Sequence, residues 1–212
     1  MTVTINERKE REREEMRELI LKAANGVIKT EGISGLSIRK IAKIIDYSPA
    51  IIYNYFSDKD AIVNHIMKEG YGKIIQALVS VKIPREQPEK RLKELTRSYI
   101  NVALEMSEEY KFVQLNSSPE ILKYTASLFK GASIEKPALT ILFQCLKDIF
   151  KDKTMDDTSI ELITQIVFTS TFGLIIKLII ENVDDFQKTE LIEQHMKCII
   201  DTMVLGKPLN NF

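Results

Sequence analysis

Residues 37–59, SIRKIAKIIDYSPAIIYNYFSDK, carry two short apolar helical stripes separated by about three residues. Ser37 is a natural N-cap, and Ile38, Ile41, Ala42 and Ile45 follow at the spacing of one helical face. Asp46 and Tyr47 make a tight turn. Ser48-Pro49 restarts a helix: the serine is placed to accept from the first free N–H groups, and proline is tolerated at the first helical position. Ile52, Tyr55 and Phe56 then share one side. Two such helices pack at a steep angle around Leu36, Ile41, Ile45, Ile52 and Phe56. The second helix is then expected to stand proud of the fold, with its leading residues at the width of a DNA major groove.

The side chains of this segment suit that placement. Ser48, Pro49 and Ala50 are small and allow close backbone approach. Tyr53 and Tyr55 offer hydroxyls to phosphate oxygens, and Asn54 can read a base or a phosphate. Lys59 opens the next helix, where its charge and the free N–H groups both favour a phosphate. Arg39 and Lys40 can clamp the opposite backbone. Each of these residues has a plainer reading, as core packing for Tyr53 or as solvated charge for Arg39, Lys40 and Lys59.

On the N-terminal side, residues 7–18 read ERKEREREEMRE, either a solvated helical extension laced with i,i+4 ion pairs or an arm reaching the DNA backbone. Leu19, Ile20, Ala23, Ala24, Val27 and Ile28 continue it as a helix with one buried stripe, stopping at Gly32. On the C-terminal side, Ser57-Asp-Lys-Asp60 reads as a variant capping box. Its helix turns Ile62, Ile66 and Met67 inward and ends before Pro84.

From Pro84 onward no β-like alternation appears. Helices are expected at about 88–106, 119–130, 134–151, 158–182 and 188–204, with a shorter one within 107–118. Asp184-Asp185 separates the last two long helices. With 8 Gly and 6 Pro in 212 residues and 44% hydrophobic content, the chain is read as all-α, with a core of real size. The expected division is residues 1–57, with an arm at 1–14, and a larger helical domain at 58–212.

Charge gives no support to a nucleic-acid reading. The chain has 30 basic and 30 acidic residues, and residues 1–60 hold eleven against ten. DNA binding must therefore rest on geometry and local residues. The run Phe168–Ile180 is interrupted by Lys177, Thr and Gly and is read as too short and polar to span a bilayer. No signal peptide is read at the charged start, so a soluble, cytoplasmic bacterial protein is expected, associated with the nucleoid and with both thiols reduced. Cys145 and Cys198 lie on apolar helical faces as core hydrophobes or redox sensors. His65 and His195 lack metal-ligand spacing, and no phosphate loop, GxSxG or GxGxxG is present, so neither a metal, a cofactor nor an enzyme is expected.

The segment resembles the TetR-type DNA-binding motif: Ser37…Ile41-Ala42, a turn, then Ser48-Pro-Ala-Ile-Ile52-Tyr53-Asn-Tyr55-Phe56-Ser-Asp-Lys59. The likeness runs from roughly Leu19 to Ile62. The chain departs from it where Asp46 replaces the usual turn glycine and Ala50 replaces a frequent glycine of the recognition helix. Asp tolerates left-handed backbone better than most residues. The resemblance implies an N-terminal helix-turn-helix of three helices and a larger effector-binding and dimerisation domain. It places DNA contacts at Ser37, Arg39, Ser48, Pro49, Ala50, Ile51, Tyr53, Asn54, Tyr55 and Lys59.

For the second domain, helices 158–182 and 188–204 are apolar over more than one stripe and must bury a second face. Packing on the same helices of a partner gives a four-helix homodimer, and a monomer's interior is the other solution. A two-fold dimer calls for a near-palindromic duplex. Tyr99, Met106, Tyr110, Phe112, Asn116, Phe143, Thr171 and Phe172 are candidate walls for a small, largely apolar effector, or ordinary core. Three functions are compatible with this reading. The first is a repressor released by its effector, the second an architectural or protein-binding factor without a ligand, and the third a membrane- or partner-binding helical adaptor.

Overall fold

The computed structural model describes residues 4–117 and 119–208; the outermost residues of both expected domains, 1–3 and 209–212, lie outside the described residues. Among the described residues every regular element is helical. The chain divides into two compact units, Met1–Glu69 and Gly70–Phe212. The division falls inside a helix, twelve residues beyond the expected start of the second domain, with Ile62, Val63, Ile66 and Met67 buried on the N-terminal side of it.

In the first unit, α1 (Ile5–Glu31) begins in a full capping box. Thr4 Oγ1 accepts from the Glu7 amide at 3.3 Å, and the Glu7 carboxylate accepts from the Thr4 amide at 2.7 Å. Its first turns are exposed and carry the i,i+4 pairs Arg8–Glu12 and Arg11–Glu15. Exposed pairs of this kind add little to stability. The buried stripe is Ile20, Leu21, Ala23, Ala24, Val27 and Ile28; Leu19, expected inside, faces out, and Leu21 takes its place. Gly32 ends the helix at φ 72°, a conformation that disfavours any side chain.

Helices α2 (Ile38–Ile44) and α3 (Pro49–Tyr53) follow. Ser37 caps α2 as expected, its hydroxyl accepting from the Lys40 amide at 3.2 Å. The turn between them closes through Tyr47 N–H donating to the Ala42 carbonyl at 2.9 Å, with Asp46 left-handed at φ 59°. Asp46 thus adopts the backbone that glycine takes at no steric cost. Asp46→Gly is expected to raise stability by about 0.5–1 kcal/mol, read as an upward shift of the thermal midpoint. An unchanged or lower midpoint would show that the Asp side chain compensates for the strain.

Two local expectations fail. Ser48 stands at the N-cap of α3 but makes no side-chain cap there, and it is exposed. Ser57 does not cap α4 (Lys59–Val79) either. The Asp58 carboxylate accepts from the Ala61 amide at 2.7 Å, while Ser57 only donates to Asp58. A carboxylate directly before the helix outcompetes a hydroxyl one residue further out.

In the second unit, α5 (Pro88–Glu105), α9 (Pro137–Phe150) and α10 (Asp157–Glu181) pack together around Leu92, Ile100, Leu146 and Ile175, all fully buried. The short helices α6 (Ser107–Gln114), α7 (Pro119–Thr125) and α8 (Ala132–Glu135) lie between α5 and α9 in the chain. The expected helix at 119–130 stops at Thr125, and the chain turns through Gly131 at φ 91°. The expected helix at 134–151 starts at Pro137, which cannot continue α8. α10 ends at Asn182, left-handed at φ 46°, and Asp184 caps α11 (Asp185–His195). The chain then continues as a π-helix, Met196–Val204, in which Met196, Ile200 and Val204 face inward at intervals of four.

Helix α10 is long and apolar enough to cross a membrane by length and composition, contrary to the reading of Phe168–Ile180 alone, because the helix extends to both sides of that run. One face, including Ile160, Val167, Ile175 and Leu178, is in the core. The opposite face exposes Leu162, Ile166 and Ile180.

Candidate nucleic-acid interface

The fold of the first unit holds α3 by its inner side only. Ile52 is 0% exposed and Phe56 4%, seated with the fully buried Ile20, Ile41 and Ile62. Ile45, expected in this core, is only half-buried, and Ile44 is exposed. The outer side of α3 is open: Ser48, Pro49, Ala50, Tyr53 and Asn54 are all exposed, Tyr53 at 56%. The helix is shorter than its motif. It ends at Tyr53, and Asn54 and Tyr55 lie in the following turn, whose amides donate to the Ile51 and Ile52 carbonyls.

The structure brings the ten candidate contact residues together in the span from α2 to the start of α4. Ser37 and Arg39 are exposed at the start of α2. Ile51, Tyr55 and Lys59 are half-buried, with Lys59 at the first position of α4. The Lys40 ammonium pairs with the Glu31 carboxylate of α1.

One residue of this region carries no signal in the sequence. Arg17, inside the charged tract of α1, is half-buried, while the residues before Glu15 face solvent. One guanidinium nitrogen donates to the Tyr55 carbonyl at 3.3 Å, and the other lies 3.2 Å from His65 Nδ1. Its carbon sits 4.5 Å from the centre of the Phe56 ring. Its partners are 38 and 48 residues away in the chain, a distance that periodicity does not report.

The second unit contains the candidate effector residues, and the structure separates them. Tyr99 and Tyr110 are buried, with hydroxyls 2.6 Å apart, and Phe143 is buried in the same core. Tyr99 and Thr171 line a small space with Leu95, Ile141, Leu142 and Phe168, of about 30 Å³. Phe172 instead lines a cleft of about 370 Å³ with Leu122, Leu128, Phe129 and Phe168. Gln114, Thr125, Ser127 and Thr169 supply polar groups there, and among the described residues no charged side chain lines it. Met106 (its methyl against Gly70), Phe112 and Asn116 are half-buried and line neither space. The cleft was missed because its walls come from the 126–129 loop, which was expected to be helix. His195 is half-buried beside Thr171 Oγ1 at 3.0 Å, and burial lowers its pKa. Burial pushes the Cys145 thiol up to about 12, the behaviour of a core residue.

Comparison with known proteins agrees with this geometry. Residues 20–66 match the family model of bacterial regulatory proteins, tetR family. Over 79 residues the chain is 32% identical to the HTH-type transcriptional repressor NicS of Pseudomonas putida, a match spanning 37% of each protein. Among solved structures, a TetR-like transcriptional regulator from Rhodococcus sp. RHA1 superposes with a TM-score of 0.66 at 16% identity, covering 90% of this chain and 97% of that one. The fatty acid degradation regulator FadR from Bacillus halodurans gives 0.65 at 19%, covering 87% and 94%. These likenesses extend over both units.

Proposed function

We propose that residues 20–66, which match the tetR-family model, form a DNA-binding domain, and that this chain, with the fold of solved TetR-family regulators, is a homodimeric repressor released by a small, largely apolar effector. The observation that carries the DNA-binding half is the open leading edge of α3, Ser48 to Ala50, backed by Ile52 and Phe56. Small exposed side chains there let the backbone approach base edges, while Tyr55 and Lys59 flank them as phosphate contacts. The division into domains follows the same reading, with the helix-turn-helix in the first unit and the effector and dimer functions in the second. The protein acts on the nucleoid in the bacterial cytoplasm.

Dimerisation is supported by the outward apolar stripe of α10 (Leu162, Ile166 and Ile180) and by Leu191 and Met203 on the last helical segments. Exposed residues at this helical spacing are covered when the same two helices of a second copy pack against them. The effector half rests on the 370 Å³ cleft, whose apolar walls and few neutral polar groups suit an uncharged or weakly polar small molecule. The naming of one solved relative for fatty acid degradation agrees with an apolar ligand. Release needs a coupling of only about 1–3 kcal/mol between cleft and duplex.

A second reading, a TetR-fold factor that binds DNA or protein without a ligand, is favoured by the small size of the space beside Tyr99, about 30 Å³. Band shifts on the DNA upstream of its own gene, repeated with added apolar compounds, separate the two. Release of bound DNA by such a compound supports the effector reading. Binding that no compound alters supports the second. Sequence-independent binding with no protected palindrome rejects both as regulators of a specific operator.

Within the interface, different residues have different work. Tyr55→Phe and Lys59→Ala are expected to weaken binding to all duplexes, and Lys59→Ala to reduce the salt slope by about one. Asn54→Ala is expected to change sequence preference instead. Equal losses on specific and random DNA for all three would contradict this division.

A further inference from the structure

Helix α3 ends without a basic residue of its own, and the carbonyl of Tyr55, just past its end, is held by Arg17 from α1 rather than by backbone. Arg17 makes three contacts at once. It donates to Tyr55 O at 3.3 Å, it reaches His65 Nδ1 of α4 at 3.2 Å, and its planar face covers the Phe56 ring at 4.5 Å. A guanidinium only donates, so His65 Nδ1 accepts, and the ring proton sits on Nε2, which lies 3.5 Å from Glu69 Oε1. The His65 ring in turn stands edge-on to Phe56 at 6.0 Å. The turn that follows α3 is therefore fastened to α1 and α4 through one side chain whose five donors have fixed geometry.

We propose that Arg17 is a positioning residue for DNA binding, fixing the backbone between Asn54 and Lys59 so that the Tyr55 and Lys59 contacts are pre-set before a duplex arrives. The role rests on the DNA-binding reading above. Arg17 touches no DNA in this account; it acts through Tyr55 and Phe56. Pre-setting matters because a turn that must be ordered on binding subtracts that ordering free energy from the affinity.

The test uses full-length protein and two readouts. Hydrogen exchange follows the amides of Asn54, Tyr55 and Phe56 without DNA, and a band shift measures binding to the duplex upstream of its own gene. In Arg17→Met, which keeps apolar contact with Phe56 but donates nothing, those amides are expected to exchange about tenfold faster and the duplex to bind about tenfold more weakly, with an unchanged thermal midpoint. Arg17→Lys, with one ammonium in place of the fork, should fall between Arg17→Met and the unaltered protein in both. Should Arg17→Met fail to fold, Arg17→Lys and His65→Ala carry the test, since each removes one contact of the clamp. Faster exchange with unaltered affinity would overturn the positioning role, and unaltered exchange would overturn the clamp. Failure of the unaltered protein to bind the duplex would instead overturn the DNA-binding reading on which the role rests.

Discussion

Ala50→Glu is expected to abolish operator binding while leaving the protein folded. Ala50 is exposed on the outer side of α3, so a longer side chain meets no neighbour within its unit. Glu is also well placed in the first turn of a helix, where its charge faces free N–H groups. In a major groove the same carboxylate sits between two phosphate backbones. Like-charge juxtaposition of this kind costs several kcal/mol, and a loss of about 3 kcal/mol already means more than a hundredfold in affinity. The measurement pairs a band shift with a thermal melt. Binding lost with an unchanged midpoint is the expected result. Binding retained within a few-fold would mean that α3 does not face the duplex.

The second large effect lies in the other unit. Ile166→Arg places a cation in the middle of the outward stripe of α10, where Ile166 is 52% exposed and Leu162 56%. In an isolated chain the arginine points to solvent and helical content stays constant. In a four-helix interface it is buried without a partner, at a cost of roughly 3–5 kcal/mol per uncompensated charge. Light scattering is expected to show a dimer for the unaltered protein and a monomer for the variant at the same concentration. Operator affinity should fall with it by roughly 10²–10⁴-fold, because the second half-site is no longer tethered. A variant that stays dimeric would move the interface to another face.

How much of this was legible in the sequence depends on how local the physics is. The Ser37 cap and the burial of Ile52 and Phe56 are set by residues a few positions apart and are legible in the spacing, whereas the left-handed Asp46 follows from the resemblance, which places a glycine at that position. Ser57 fails as a cap for a local reason too: Asp58 beside it accepts from the Ala61 amide in its place. The inner core of α3 was legible to within a residue, although Ile45 and Leu19 face further outward than their spacing implied.

What periodicity did not report is long-range. Arg17 reads as one more charge in an alternating tract until Tyr55 and His65 are brought beside it by tertiary packing. Lys40 reads as a free cation until Glu31 is found against it. The cleft of the second unit depends on a loop at 126–129 that interrupts an apolar stretch otherwise suited to helix, so Phe172 alone of the candidate effector residues faces it. Tyr110 and Phe143 are large and apolar, and that same quality places them in the core.

The central claim is that two copies of the α3 leading edge enter successive major grooves of one duplex. A hydroxyl-radical and base-methylation footprint on the DNA upstream of its own gene tests it most directly. The account predicts two protected half-sites in inverted orientation, about one helical turn apart from centre to centre, with protected guanine N7 positions in the major groove. Protection confined to the minor groove, or spread evenly along the duplex without a dyad, would contradict it.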